Sequence, residues 1–359
     1  MNLLDFTKPE LERLFMENGQ PKFRALQVLK WLHQKGVRDF SKMTDLKASF
    51  REFLSRELEI RIPEVIQSTK SSDGSVKWLF KLDNGEVIES VVIPEGHRVT
   101  ACVSSQVGCA IDCSFCATGN QGFSRNLTLG EMLGQMWAIN FLSNVGDVTN
   151  VVLMGMGEPL LNYKNLKEFL KFMLMDHAYG LSRRKVTVST SGIVPFIEKL
   201  KVDCPVSLAI SLHSGNNELR NQLVPINRKY PLEQLMTACN GYQESAPRKF
   251  ITFEIVLLDG VNDSIQDAFA ISELMSDYGI NAKFNLIPYN PFNGGIYRKP
   301  SEKRIKGFQM KLQEKGYVST VRKTRGDDVQ GACGQLAGVV NNRISKAVSS
   351  EKTKIARVL

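Results

Sequence analysis

Residues 109–116 read Cys-Ala-Ile-Asp-Cys-Ser-Phe-Cys. Three thiols lie within eight residues, spaced C-x3-C-x2-C, with an aromatic residue just before the last. Thiolates are soft ligands that suit zinc or iron–sulfur clusters. A structural zinc site takes four protein ligands. No fourth Cys or His lies close by in this segment, and the whole chain holds four His. Three thiolates on a 4Fe–4S cluster leave one iron without a protein ligand, open to a substrate or cofactor. The spacing suits a catalytic cluster better than a structural one. A zinc loop completed by a distant residue and unliganded cysteines are the alternatives. The seven Cys are too few and too unevenly spaced for a secreted disulfide framework, so their crowding points to metal or redox chemistry.

The cysteine segment follows a β-rich run at 99–104. Similar runs recur at 151–155, 185–190, 206–212, 250–257 and 282–287, with a further one near 317–322. Helical patterns at 128–143, 164–175, 231–243 and 264–278 separate most of them. Such alternation implies parallel strands in an α/β barrel or open sheet, with the chemistry at the carboxyl ends of the strands. Upstream, Asp83-Asn84-Gly85 joins two Val/Ile/aromatic runs at 75–82 and 86–93, the pattern of a β-hairpin.

The first sixty residues read as helices. Thr7 and Glu10 have capping-box spacing, Pro9 suits an early helical position and Gly19 a stop. A second helix fits 21–35, with Phe23, Leu26, Leu29 and Leu32 as its apolar stripe, and a third fits 45–58 with Leu46, Phe50, Phe53 and Leu54. The expected division is a helical, RNA-binding domain over 1–60, a hairpin extension over 61–94, a core barrel over 95–330 and a C-terminal segment over 331–359. That segment ends in a basic stretch from Asn341 to Leu359.

Hydrophobic residues make up 43% and charged residues 23%, values that exclude disorder for most of the chain. Lys plus Arg outnumber Asp plus Glu by 46 to 37, a net charge of +9. That excess suits a polyanionic partner, and equally a basic enzyme with a small substrate. No apolar run approaches the ~20 residues that span a bilayer, and no basic n-region precedes an apolar core at the N-terminus. A cytoplasmic protein is expected.

The C-x3-C-x-aromatic-C segment after a first strand resembles the radical S-adenosylmethionine (SAM) superfamily. Gly155-Met156-Gly157-Glu158-Pro159 resembles the superfamily segment whose glycine and glutamate contact the SAM amino group. Ser189, Ser211-Leu212-His213 and Asn290 follow at successive strand ends and match the SAM contacts of one subfamily. Cys102–Cys109, Gly331–Leu336, Gln20–Ala25 and Lys323–Asp328 are similar to the dual-specificity RNA adenine-C2 methyltransferases, the RlmN family, and the resemblance runs from about residue 20 to 340.

That resemblance implies a partial (β/α)6 barrel carrying an N-terminal helical domain and a β-hairpin extension. It implies a 4Fe–4S cluster on Cys109, Cys113 and Cys116, with SAM at Gly157, Glu158, Ser189, Ser211, Leu212, His213 and Asn290. In the family scheme one SAM methylates Cys333. A second SAM is cleaved to a radical that activates this methyl for addition to adenine C2. Cys102 is then the partner in proton removal and in a transient Cys102–Cys333 disulfide, and Glu89 matches a proton acceptor. The implied substrates are 23S rRNA, at the peptidyl-transferase centre, and tRNA, at the adenosine 3′ of the anticodon. A flavodoxin-like electron donor and a monomer are implied with them. Sister enzymes that methylate adenine C8 and confer antibiotic resistance share these residues; Lys323–Asp328 resembles the C2 family. A non-catalytic iron–sulfur RNA-binding sensor is the alternative of a different class.

Elementary chemistry agrees with such a scheme. Adenine C2 is electron-poor and does not attack a methyl sulfonium as a nucleophile, so a radical route is required. The methyl then needs a carrier, and a thiolate is a good acceptor. Cys333 sits between Gly331 and Gly334, where small neighbours permit close backbone approach. Cys204 and Cys239 read as buried small side chains, His33, His97 and His177 as isolated, and Met154 and Met156 as barrel packing. Asp327-Asp328 is expected to cap or position the Cys333 loop.

Overall fold

The computed structural model describes residues 1–337. The expected basic tail from Asn341 lies outside the described residues. Helix α1 (Lys8–Glu17) opens with the expected capping box: the Thr7 amide donates to Glu10 Oε2 at 2.8 Å. Helices α2 (Phe23–His33) and α3 (Ala48–Glu57) complete the N-terminal unit, and Phe15 meets Phe50 edge-on at 5.1 Å in its centre. The apolar stripe of α2 is rotated from the expected one. Ala25, Val28, Leu29 and Leu32 are buried, whereas Phe23 is 51% exposed. Helical periodicity permits either stripe; Ala25 lets the neighbouring helix approach, so packing selects the second.

Strands β1 (Glu64–Lys70), β2 (Val76–Lys81) and β3 (Val87–Glu95) form an antiparallel meander, with Gly85 at φ +82° in the expected turn. β4 (Arg98–Cys102) pairs antiparallel with β3, from Val91 opposite Cys102 to Glu95 opposite Arg98. The hairpin is therefore continuous with the barrel wall. A small hairpin of β5 (Gln106–Gly108) and β6 (Phe123–Asn126) encloses the cysteine loop and the short α4 (Ala117–Asn120). The chain then alternates: α5 (Leu129–Leu142), β7 (Asn150–Leu153), α6 (Tyr163–Leu174), β8 (Val186–Thr190), α7 (Val194–Asp203) and β9 (Ser207–Ser211). It continues through α8 (Asn217–Leu223), α9 (Leu232–Gln243), β10 (Ile251–Leu257), α10 (Ile265–Asp277), β11 (Ala282–Pro288), α11 (Glu302–Glu314) and β12 (Val318–Val321).

The main sheet runs β1-β2-β3-β4-β7-β8-β9-β10-β11-β12, with every pair from β4 onward parallel. Each crossover returns to the adjacent position, which winds the sheet into a partial barrel of six strand–helix units followed by β12. The strands at residues 99–104 through 317–322 stand where the sequence put them. β1 was not read as a strand, because its exposed and half-buried residues leave no apolar alternation. Among the described residues, no helix is long and apolar enough to cross a membrane.

Candidate active site at the strand ends

The cysteine loop is held by its own small hairpin. Gly108 stands at φ +72°, and a Cβ there would come within 1.9 Å of the Gly122 carbonyl oxygen. The Cys109 amide donates to that same oxygen at 2.8 Å. At the other end the Cys116 amide donates to Cys113 O at 3.2 Å, and α4 begins directly after. The Phe115 ring packs on His213 with centroids 4.5 Å apart, which ties the loop to the end of β9. Cys109, Cys113 and Cys116 line one cavity. Burial pushes the Cys109 and Cys113 thiols up from their ordinary range. Among the described residues no three His, Cys, Asp or Glu groups converge as ligands of a single ion; the three thiols surround a space.

Gly157, Glu158, Ser189, Ser211, His213 and Asn290 line the same cavity. They stand at or just beyond the carboxyl ends of four parallel strands, β7, β8, β9 and β11, so the topology alone gathers them. Glu158 is 3% exposed and accepts from the Leu160 amide at 3.0 Å and the Ser191 amide at 2.8 Å. Burial raises its carboxyl to about 7. Gly157, at φ +99°, has Gln106 Cβ 2.5 Å from where its own Cβ would stand. His213 accepts from the Val256 amide at Nδ1, 3.0 Å away, and burial lowers its pKa to about 3, so the ring is neutral. Leu212 is the exception. Its side chain is buried away from the cavity, and its carbonyl accepts from Arg220 Nε at 3.0 Å.

Arg220 is the residue that sequence reading missed here. It is fully buried and carries no ion pair among the described residues. Its guanidinium donates to Ser191 O at 2.7 Å, Ser211 O at 3.1 Å and Asn227 Oδ1 at 2.7 Å. One planar fork thus fixes the ends of β8 and β9 together. Its position soon after the Ser211–His213 segment was the only sequence signal.

Cys102 and Cys333 border a second, larger cavity of about 590 Å3. Burial raises both thiols, and the Arg322 charge opposes that rise at each. Arg322 pairs with Glu254 at 3.3 Å, and Glu254 faces the first cavity with Ser189 Oγ 3.4 Å away. The Cys102–Cys333 disulfide, expected as a transient, is not a standing bond of the fold: no cysteine pair stands at bonding distance, and all seven thiols are free. The two sulfurs belong to separate elements, β4 and the loop after β12, and no covalent constraint draws them together.

Glu89 lines neither cavity. It is 3% exposed, pairs with Lys77 at 3.1 Å and accepts from the Ala337 amide at 3.1 Å. Burial raises its pKa while the Lys77 charge opposes the rise. Asn290 donates to Cys333 O at 3.3 Å and accepts from Thr324 Oγ1 at 3.1 Å, so it serves the Cys333 loop as well as the cavity wall.

A partial parallel barrel with three thiols on its first strand-end loop, a carboxylate on the next and hydroxyls at the two strand ends after that is the architecture of a radical SAM enzyme. Residues 103–270 match the radical SAM superfamily, and residues 1–60 match the ribosomal RNA large subunit methyltransferase N-terminal domain. A crystal structure of a radical SAM methyltransferase from Sphaerobacter thermophilus is 40% identical, with a TM-score of 0.88, covering 94% of this chain and 99% of that one. A pyruvate-formate lyase-activating enzyme domain from Bacteroides vulgatus is 21% identical, with a TM-score of 0.39, over 48% of this chain and 99% of that one. SuiB from Streptococcus suis is 13% identical, with a TM-score of 0.43, over 62% and 49%. The chain belongs to the RlmN family of radical SAM methyltransferases, which act on RNA. It is a SAM-dependent enzyme, and the family implies a 4Fe–4S cluster with SAM. The residues present fit both: three soft donors from one loop, with the fourth thiol of the cavity, Cys333, on a separate loop, beside a buried carboxylate and hydroxyls suited to an amino acid headgroup.

Proposed function

We propose that this protein methylates C2 of an adenosine in the peptidyl-transferase centre of 23S rRNA and of the adenosine 3′ of the anticodon in tRNA. The observation that carries this reading is the place of Cys333. It borders both the cavity of the three thiols and the larger cavity, as do Met154, Ile287 and Asn290. A group that receives a methyl on one side and delivers it on the other must face both.

The larger cavity suits a nucleotide. Arg98, Arg184, Arg248, Lys283, Lys323 and Arg325 line it against Glu95. A base turned out of its stack enters such a space while its phosphates meet the cations at the rim.

When bound, cluster and SAM supply a transferable methyl group and a hydrogen-abstracting radical. Cys109, Cys113 and Cys116 hold the cluster, and Gly157, Glu158, Ser189, Ser211, His213 and Asn290 hold SAM, Leu212 through its backbone only. Cys333 accepts the methyl through sulfur, losing its proton as the new C–S bond forms. Arg322, between Cys333 and Glu254, favours the thiolate that this step needs. Cys102, which borders the base cavity from β4, would take a proton from the substituted adenine as its thiolate, the form that the Arg322 charge favours, and become the thiol. Glu89 is assigned as a proton acceptor that acts at the edge of the Cys333 loop. A flavodoxin-like donor supplies electrons to a monomer.

The test is a mass spectrum of the Cys333 peptide from protein purified without oxygen. A methyl on Cys333 is expected; an unmodified Cys333 in protein with a full cluster and ample SAM overturns the carrier assignment. Nucleoside analysis of the modified RNA is expected to place the methyl at C2, and a methyl at C8 would move the protein to the sister activity.

A further inference from the structure

The Asp327-Asp328 pair has a use in the fold that the catalytic scheme does not absorb. Residues 326–331 form a closed ring, in which the Gly331 amide donates to Gly326 O at 2.7 Å. Gly326 at φ +66° and Gln330 at φ +51° turn the backbone at its two ends. Far away in sequence, the β1–β2 turn at 71–75 folds against this ring. Asp328 Oδ1 accepts from Ser71 Oγ at 2.6 Å, and Asp328 Oδ2 accepts from the Ser72 amide at 2.9 Å. The reverse contact runs from ring to turn: the Gly326 amide donates to Asp73 Oδ2 at 3.0 Å. Each segment thus offers a carboxylate to an amide of the other.

A single residue, Ala332, separates this ring from Cys333. Beyond Cys333 the chain is pinned to the opposite side. The Ala117 amide, on the helix that follows the cluster cysteines, donates to Gly334 O at 2.8 Å, and Thr118 Oγ1 donates to Leu336 O at 2.5 Å. Cys333 is therefore strung between two anchors, the cluster helix on one side and the β1–β2 turn on the other. Asp327 stiffens the span, accepting from Gln335 Nε2 at 3.1 Å, while Gln335 Oε1 accepts from the Ala332 amide at 3.1 Å.

We infer that Asp328 and Asp73 are positioning residues: their crossed hydrogen bonds clasp the Cys333 loop to the accessory strands and aim its sulfur between the two cavities. This rests on reading Cys333 as the methyl carrier. Loss of the clasp frees the stretch before Cys333 from the β1–β2 turn and leaves the loop held by the cluster helix, Asn290 and Glu89. SAM still binds and is still cleaved, but the carried methyl no longer meets the base in register. Sub-ångström alignment governs such a transfer, so a surface bond some way from the chemistry controls it.

The test uses the cluster-loaded enzyme with Asp328→Ala, Ser71→Ala and the double variant. Hydrogen exchange in the 326–337 peptide is expected to quicken about tenfold in Asp328→Ala, which loses both the Ser71 and the Ser72 contact, about threefold in Ser71→Ala, which loses the first alone, and no further in the double variant than in Asp328→Ala. In turnover, the KM for SAM is expected to stay unchanged while kcat for RNA methylation falls about tenfold. The 5′-deoxyadenosine formed per methylated adenosine is expected to rise, which a general loss of folded protein would not produce. Asp328→Asn, which keeps one acceptor oxygen, is expected to fall between. Exchange and coupling within twofold of the parent in both single variants would overturn the clasp. Absence of any methyl on Cys333 in the parent would overturn the carrier reading, while the exchange series still decides the clasp.

Discussion

His33 and Arg220 are both buried, and the interior treats them in opposite ways. His33 is held neutral between Phe172 and Tyr179, with Nδ1 3.3 Å from the Tyr179 hydroxyl, and burial lowers its pKa to about 3. The unfolded chain takes up that proton near pH 6.5, and the folded chain does not. Stability from this group is thus full above pH 6.5 and is lost as pH falls towards 3, by about 2 kcal/mol at pH 5. His33→Gln, which cannot protonate but still offers Tyr179 a partner, is expected to flatten that part of the pH dependence in denaturant melts between pH 7 and 5. Arg220 instead keeps its charge, supported by three carbonyls and Asn227, although burial lowers its pKa to about 10. Arg220→Met strands those carbonyls, with an expected loss of about 3–5 kcal/mol by urea unfolding. Neither environment was legible in the sequence. An isolated His and one Arg on a short helix carry no local mark of what the barrel closes around them.

The β5–β6 hairpin shows the same limit one scale up. Three-residue and four-residue strands fall below what alternation resolves, yet they fix the entry to the cysteine loop. Gly108→Ala drives a Cβ into the Gly122 carbonyl at positive φ, and both atoms are backbone. Iron content per chain, measured after anaerobic reconstitution, is expected to drop at least severalfold, since the loop loses its closing geometry. Gly85→Ala is the contrast. It shares the positive φ but meets nothing within 4 Å, so it is expected to cost about 1 kcal/mol and leave iron content unchanged. By comparison, the strand–helix alternation from 99 onward and the Asn84-Gly85 turn were plain in the sequence, because long buried strands and tight turns are dictated locally.

At the scale of the whole molecule, the N-terminal helices are docked on the barrel rather than tethered to it. Trp137 Nε1 on α5 donates to Leu32 O at 3.0 Å, the Gly130 amide donates to Asp5 Oδ1 at 2.8 Å, and Arg38 lies over the Trp137 ring. The excess positive charge is therefore presented by one body. Around the large cavity it is concentrated on residues scattered from Arg98 to Arg325. Arg248→Gln and Lys323→Gln are each expected to reduce the slope of log K against log salt for RNA binding by about 0.7, without changing which adenosine is methylated. A salt titration of RNA binding checks this, and an unchanged slope would place the phosphates elsewhere.

The sequence by itself determined the soft-ligand triad, the order of strand ends that carries Glu158, Ser189, Ser211 and Asn290, and the family. These are local signals: ligand spacing, apolar period and turn chemistry are written in neighbouring residues. Tertiary structure alone decided the rest. It placed Cys333 between two cavities and brought Glu89 to the amide of Ala337 at the far end of the Cys333 loop. It left Cys102 and Cys333 as free thiols and joined turn 71–75 to Asp328. Each of these depends on segments more than a hundred residues apart meeting through parallel winding and antiparallel edge pairing. Closure of the sheet sets such meetings, and no short stretch of sequence encodes them.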